Sequence, residues 1–345
     1  MLQEYISNPM KRNKQLLQRG LPLQDEAHVA FWSEIIENTE GSPLQKMQAC
    51  LPQLCIPIEE GVSHRKSYKD VVLRGALFAD AGFDEIAKYE DPDAITLHMY
   101  THDAGSLPVV ETSNYNDFEH LNRALASKCE PVRIADGIHA SFIAGLPNPG
   151  RMLQLQVEAS QRGEPWGSAM QRLLNEDKTN FYDKIVLMYT SPYGNVPASD
   201  VGLSELDWIE KSSLLRVEHE MTHYATNRML GSFRLNIHDE LLADFMGFTS
   251  SLGFFSADLF FLAMGIDGDS IPKNCRFRNY CQELDEDEIQ KVLLMSRCSA
   301  FNLEKISKAL PDGFSRSAVL LALGMYGIKE MGEDLFFEHF FDAFV

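Results

Sequence analysis

The segment His219-Glu220-Met221-Thr222-His223 places two histidines four residues apart, with a glutamate beside the first. In an α-helix, residues i and i+4 lie about 40° apart around the axis, so both imidazoles leave the same face. Two histidines on one rigid face can bind zinc, with Zn–N distances of about 2.0–2.1 Å. Glu220 lies about 100° from His219, where its carboxylate could take a proton from a water that the metal has activated. The segment therefore indicates a metal site with a general base beside it.

A second predicted helix follows shortly afterwards and carries two carboxylates. It opens at Asn236 or His238, and Glu240 and Asp244 are again four residues apart and share a face. Glu240 could be the third metal ligand, and Asp244 could hold the far ring nitrogen of a ligating histidine. His238 and Asp239, at the start of the same helix, are the alternatives for the third ligand.

The pattern HExxH followed by a helix with ExxxD resembles the zincin metallopeptidases of the gluzincin type. The resemblance is close over residues 180–250 and holds elsewhere only for the general layout, with mixed strands before the motif helix and helices after it. Sixteen residues separate His223 from Glu240, slightly fewer than in the best-known families of this type. A tighter connection between the two helices, over residues 228–237, is therefore expected.

The resemblance also implies roles for individual residues. It implies zinc bound by His219, His223 and Glu240, with Glu220 as the general base and Asp244 supporting His219. The activity that it implies is zinc-dependent hydrolysis, with a peptide or protein as the substrate. A non-catalytic zincin-like protein, which binds metal or partners without turnover, is the alternative.

A hydrolase of this kind also needs a side chain that stabilises the negative charge on the substrate oxygen. Tyrosine, histidine and arginine commonly do this, and several lie in the downstream part of the chain. The sequence selects none of them: Tyr224, Arg276, Arg278, Tyr280, Arg316, Tyr326 and His339.

Helices and strands occur in separate blocks along the chain, which predicts an α+β fold. The motif helix should begin at Ser204 and end at Gly231, a typical start and stop for a helix. Strands are predicted before it, at 94–101, 139–146 and 184–189, and helices after it, at 284–298, 314–328 and 332–343. With the resemblance, this predicts a zincin-like fold: a mixed β-sheet, the HExxH helix and a mainly helical C-terminal lobe.

The same reading divides the chain into two domains. Residues 1–90 are predicted to form an N-terminal helical region that acts as a cap or an exosite. Residues 91–345 are predicted to form the zincin-like domain, in which 91–231 hold the strands and the motif helix and 232–345 form the helical lobe. The strand at 184–189 is expected to be the edge strand with which an extended peptide pairs.

Composition narrows the possible partners and the compartment. Fifty Asp and Glu residues face 31 Lys and Arg, a formal charge of -19, which repels nucleic acid and anionic membrane surfaces. The apolar stretch at 252–266 is too short to span a bilayer. The first 20 residues lack the apolar core of a secretory signal, and the six cysteines form no CxxC pair. A cytoplasmic protein with reduced thiols is expected.

Overall fold

The computed structural model describes residues 1–176 and 178–344. The chain forms two compact units. The sheet unit comprises Gln24–Ile134 and Ala140–Thr190, and the helical unit comprises Met1–Leu23, Ala135–His139 and Ser191–Val345.

The described chain has helices at both ends and, between them, four strands interspersed with three α-helices. The strands are β1 (Thr96–Tyr100), β2 (Leu107–Thr112), β3 (Ala140–Pro147) and β4 (Tyr182–Tyr189). The α-helices of the sheet unit and those before it are α1 (Leu2–Tyr5), α2 (Lys14–Leu17), α3 (Ala27–Asn38), α4 (Pro43–Cys50), α5 (Lys66–Arg74), α6 (Tyr115–Ala126), α7 (Pro149–Gln161) and α8 (Trp166–Glu176). The later α-helices are α9 (Ala198–Val201), α10 (Glu205–Leu230), α11 (Ile237–Ser251), α12 (Ala257–Ala263), α13 (Arg276–Asn279), α14 (Glu286–Ala309), α15 (Arg316–Leu323), α16 (Ile328–Met331) and α17 (Phe336–Phe344). The predicted α+β class is confirmed.

The sheet is mixed and has the strand order β1-β2-β4-β3. β4 pairs parallel to β2 and antiparallel to β3, so it lies inside the sheet. The prediction that this segment is an edge strand is therefore wrong. Its uninterrupted apolar run, Ile185 to Tyr189, explains the position, because a central strand covered on both faces needs apolar residues on both. The edges are formed by β1 and β3.

Three predicted strands are confirmed, and β2 is an additional one. The sequence did not predict β2, because Pro108 interrupts its apolar run and proline is rare inside a sheet. Pro108 is tolerated because it lies beside Met99 of β1, one residue before the pairing with β4 begins at Val109. Helix α6 follows β2 and begins at Tyr115, with the side chain of Asn114 as its N-cap.

The helices of residues 24–90 pack in the same core as the strands. Trp32 of α3, Met47 of α4 and Val71 of α5 are fully buried there together with Val110 of β2 and Leu187 of β4. Residues 1–23, by contrast, belong to the helical unit, as does the motif helix. The two units thus follow boundaries other than 1–90 and 91–345, because the apolar faces of α3–α5 are buried against the sheet.

In the helical unit, the motif helix α10 has the predicted ends. The side chain of Ser204 accepts a hydrogen bond from the backbone N–H of Asp207, and Gly231 ends the helix in the left-handed conformation. Asn236 caps α11 in the same way as Ser204 caps α10. The two helices pack closely at Gly247, where a Cβ atom would lie 2.7 Å from the backbone oxygen of Leu215.

The N-terminal segment fastens the ends of both helices. The backbone N–H groups of Lys11 and Asn13 donate to the carbonyls of Leu230 and Met229, each at 2.8 Å. The hydroxyl of Tyr5 accepts a hydrogen bond of 3.1 Å from the N–H of Ile237, the first residue of α11. These contacts hold the short connection between the two helices.

Helices α14 to α17 confirm the predicted helical C-terminal lobe, although α14 continues to Ala309, beyond the expected end. Among the described residues, no helix combines the length and apolar character needed to cross a membrane.

Candidate metal centre

Helix α10 carries both histidines on a buried face. His219 and His223 are each 3% exposed, and their Nε2 atoms are 3.1 Å apart. The side chains leave the same side of the helix, as the spacing of four residues requires. Two nitrogen atoms are thereby directed at one small volume inside the protein.

Helix α11 brings a carboxylate to the same volume. Glu240 is 1% exposed; its Oε2 lies 3.5 Å from His219 Nε2, and its Oε1 lies 3.3 Å from His223 Nε2. A tetrahedral centre with ligands at about 2.0–2.1 Å needs its ligand atoms about 3.3–3.4 Å apart. The spacing of the three side chains fits this requirement. His219, His223 and Glu240 form a buried group that could hold a metal ion.

Asp244, one turn after Glu240, holds the other ring nitrogen of His219. Its Oδ1 lies 2.6 Å from His219 Nδ1. This contact places the Nδ1 proton toward the carboxylate and leaves Nε2 able to bind a metal. Nδ1 of His223, by contrast, is buried without a hydrogen-bond partner among the described residues. The two histidines are therefore oriented differently, one by a carboxylate and the other by packing, including the ring of Phe233 at 5.0 Å.

The two alternatives for the third ligand are occupied elsewhere. His238 Nε2 lies 2.9 Å from the backbone oxygen of Tyr326. Asp239 accepts a hydrogen bond from the backbone N–H of Arg234 in the connection between the helices. Neither residue joins the group formed by the histidines, so the structure places Glu240 there.

Glu220 has the features of an available base. It is 7% exposed, and in the described part of the chain its carboxylate makes no hydrogen bond or ion pair. Its negative charge acts on His223, one turn further along the helix. A carboxylate without a protein partner keeps its lone pairs available for a proton.

Two groups from the downstream list lie at the site. Arg276 of α13 donates a hydrogen bond of 3.1 Å to Glu240 Oε2 and another of 3.1 Å to the hydroxyl of Tyr280. Arg278, two residues later, instead pairs with the exposed Glu286. Arg276 and Arg278 lie only two residues apart, and the sequence did not indicate which of them lies at the site.

Tyr193 is a site residue that the sequence did not indicate. Its hydroxyl donates to Asp244, lies 3.2 Å from His219 Nδ1 and accepts a hydrogen bond of 3.4 Å from Arg276. It precedes Gly194, whose φ of +58° and close approach to Ala263 leave no room for a side chain. The Tyr-Gly pair in a turn-rich segment is the signal that could have drawn attention to it.

A histidine beside the motif helix was also missed. His139 Nδ1 lies 2.9 Å from the hydroxyl of Ser191, which accepts a hydrogen bond of 3.2 Å from Arg216 of α10. Burial, together with the positive charges of Arg216 and Arg276, lowers the pKa of His139 to about 4. His139 is therefore neutral at physiological pH.

The charges in the metal group strongly influence the pKa values of His223 and Glu240. Burial by itself lowers the pKa of His223, but its hydrogen bond to Glu240 and the charges of Glu240 and Glu220 outweigh burial and raise the pKa to about 9. Burial raises the pKa of Glu240, yet His219, His223 and Arg276 outweigh it and lower the pKa to about 2. The environment thus favours the ionised form of Glu240 and, without a metal, the protonated form of His223.

Comparison with other proteins identifies the family but not an activity. No curated protein and no solved structure matches the chain. A family model described as a family of unknown function, DUF7005, matches residues 1–334, which is almost the entire length. The buried His219, His223 and Glu240 all lie within the matched region. The chain belongs to the DUF7005 family.

Proposed function

We propose that this protein is a zinc-dependent hydrolase with a zincin-like fold that cleaves peptide bonds in a cytoplasmic setting. The observation that carries the proposal is the convergence of His219, His223 and Glu240 at distances that suit a tetrahedral metal. Glu220 acts on His223 by its charge, and its carboxylate makes no hydrogen bond or ion pair with any residue that the structure describes. The mixed sheet before the motif helix and the helical lobe after it support the zincin-like part of the proposal.

The donor set supports zinc over other divalent ions. Two imidazoles and one carboxylate are typical of catalytic zinc, which keeps a fourth position for water or substrate. Calcium and magnesium prefer sites built from oxygen atoms. Zinc at His219, His223 and Glu240 would supply Lewis acidity toward a carbonyl oxygen and toward water.

The chain's own residues perform the proton transfers. Glu220 takes the proton from the attacking water and returns it to the leaving amine, which is the work of a general base that becomes a general acid. Asp244 keeps the Nδ1 proton of His219 directed away from the metal group. Tyr193 donates to Asp244 and so fixes the orientation of that carboxylate.

The burial of the site favours a second candidate, a protein in which the metal has a structural or binding role without turnover. His219, His223, Glu220 and Glu240 are between 1% and 7% exposed, so a substrate has little access to a metal held there. In that case the protein would bind zinc and hydrolyse nothing. Metal content and turnover, measured on the same preparation, separate the two candidates.

Purified protein is expected to contain about one zinc per chain, because three protein ligands are present and each lies in the same group. Native mass spectrometry measures the stoichiometry, and incubation with a pool of unstructured peptides measures hydrolysis before and after treatment with a chelator. Zinc-dependent cleavage that returns on adding zinc back would support the hydrolase. Bound zinc without cleavage would support the second candidate, and no bound metal would contradict both.

Zinc binding at about pH 7 is expected to release roughly one proton, since the raised pKa of His223 keeps it protonated in the metal-free protein. A ligand must lose its proton before it binds, so affinity should rise about tenfold per pH unit and level off above roughly pH 9. Isothermal titration in two buffers of different ionisation enthalpy counts the released protons. An affinity that stays constant between neutral pH and pH 9 would show that zinc displaces no proton from His223 in this range, which would contradict its raised pKa.

A further inference from the structure

Arg276 connects the carboxylate of the metal group with the residues that support His219. Its Nη2 donates to Glu240 Oε2 at 3.1 Å, its Nη1 donates to the Tyr193 hydroxyl at 3.4 Å, and its Nε donates to the Tyr280 hydroxyl at 3.1 Å. All three nitrogen atoms of one guanidinium group are therefore used. Tyr193 in turn donates to Asp244.

The position of Arg276 is well determined by its surroundings. The guanidinium carbon lies 5.5 Å from the ring centre of Tyr193 and 5.7 Å from that of Tyr280, so the cation contacts two aromatic rings. Only 12% of its side chain is exposed. The backbone N–H of Phe277, the next residue, donates to the carbonyl of Met264 at 3.0 Å and fixes the start of α13. A planar guanidinium held in this way can orient a carboxylate.

The two oxygens of Glu240 have different surroundings. Oε1 lies 3.3 Å from His223 Nε2, whereas Oε2 lies 3.5 Å from His219 Nε2 and also accepts the hydrogen bond from Arg276. A carboxylate can bind a metal through one oxygen or through both. With two oxygens bound, the two histidines would complete four positions and leave none for water or substrate.

We propose that Arg276 is a positioning residue that holds Glu240 to a single metal-binding oxygen and so keeps a fourth coordination position open. The inference rests on the proposed metal site, and it concerns how many positions the protein occupies. The hydrogen bond to Oε2 competes with the metal for that oxygen, and the aromatic contacts hold the guanidinium in place. Outer partners of metal ligands commonly determine ligand orientation in this way.

Charge alone is the competing explanation for Arg276. Glu220, Glu240 and Asp244 are three buried acidic side chains, and Arg276 places one positive charge among them. If charge were the whole role, a lysine would replace the arginine fully. Removing the positive charge would then let a divalent cation bind more tightly, because the repulsion between two cations would be lost.

Two variants of the full-length protein distinguish the explanations. Arg276→Lys keeps the charge without the planar fork, and Arg276→Met removes the charge while keeping an unbranched apolar side chain. Arg278→Met is the matched control, since Arg278 lies two residues away and pairs with the exposed Glu286. Zinc affinity is measured by competition with a chromogenic chelator, and Co²⁺ is added to each protein as a spectroscopic probe.

Both Arg276 variants should bind zinc about 10–100-fold more weakly, as other variants of this kind do. Their Co²⁺ complexes should have visible spectra that differ from that of the wild type, because a second carboxylate oxygen would then occupy the position that the wild type keeps open for water. The Arg278→Met variant should match the wild type in both measurements. Tyr280→Phe removes one anchor of Arg276 and should change the spectrum in the same direction, which keeps the test available if an Arg276 variant does not fold.

A lysine variant that equals the wild type, together with a methionine variant that binds zinc more tightly, would overturn the proposal in favour of charge alone. Unchanged affinity and unchanged Co²⁺ spectra in both variants would also overturn it. In either case, metal binding by the wild type would leave the proposed function standing. A wild type that binds neither Zn²⁺ nor Co²⁺ would contradict the metal site itself.

Discussion

A Glu220→Gln variant is expected to keep its fold and its zinc and to lose about 10²–10⁴-fold in the rate of peptide hydrolysis. The amide has nearly the same shape as the carboxylate but cannot accept the proton of the attacking water. Glu220 makes no hydrogen bond or ion pair within the described residues, so the substitution breaks no interaction of that kind. The loss should therefore appear in kcat and leave the unfolding temperature nearly unchanged.

Glu218→Gln is the matched control, because Glu218 is a second buried glutamate on the same helix. Its carboxylate lies 3.5 Å from Arg316, so this change is expected to alter stability slightly and turnover little. Metal content by native mass spectrometry and steady-state kinetics on a single cleaved peptide are measured for both variants. Turnover that persists in Glu220→Gln would exclude Glu220 as the base.

Substitutions in helix α11 are expected to separate the ligand from its neighbours. Glu240→Ala removes a metal bond and should leave the protein without stably bound zinc. Asp244→Ala removes only the partner of His219 Nδ1 and should weaken zinc affinity about 10–100-fold. His238→Ala should retain zinc, because the His238 side chain contacts the carbonyl of Tyr326 outside the metal group.

Zinc affinity of the three variants is compared by titration against a chelator of known affinity, with circular dichroism as the check on folding. The expected order of loss is Glu240→Ala, then Asp244→Ala, then His238→Ala. If His238→Ala lost zinc while Glu240→Ala retained it, the third ligand would be assigned to the wrong residue of the helix. The resemblance to gluzincins would then fail at its most specific position.

The sequence by itself determined which side chains share a face of one helix and where the motif helix begins and ends. The spacing of four residues puts His219 and His223 on one face, and the same spacing pairs Glu240 with Asp244. Ser204 and Gly231 mark the ends of α10, because caps depend on local hydrogen bonds and backbone conformation. These features are local, and they can be read before any tertiary contact is known.

Only the tertiary structure decided which groups meet across elements. Glu240 reaches the histidines instead of His238 or Asp239 because α10 and α11 cross closely at Gly247, which sets the rotation of α11. Local spacing contains no information about that crossing, so three residues remained as candidates. Likewise, the interior position of β4 follows from its pairing with both β2 and β3, which depends on distant segments.

The residues around the metal group likewise could be identified only from the tertiary structure. Tyr193 lies 26 residues before His219 in the chain, and Arg276 lies 36 residues after Glu240, yet both hydrogen-bond into the group. Neither belongs to a periodic pattern or a motif, because a single side chain on a turn or a short helix leaves no repeat in the sequence. Their roles arise from the path of the chain around α10 and α11, which is determined by the packing of the whole helical unit.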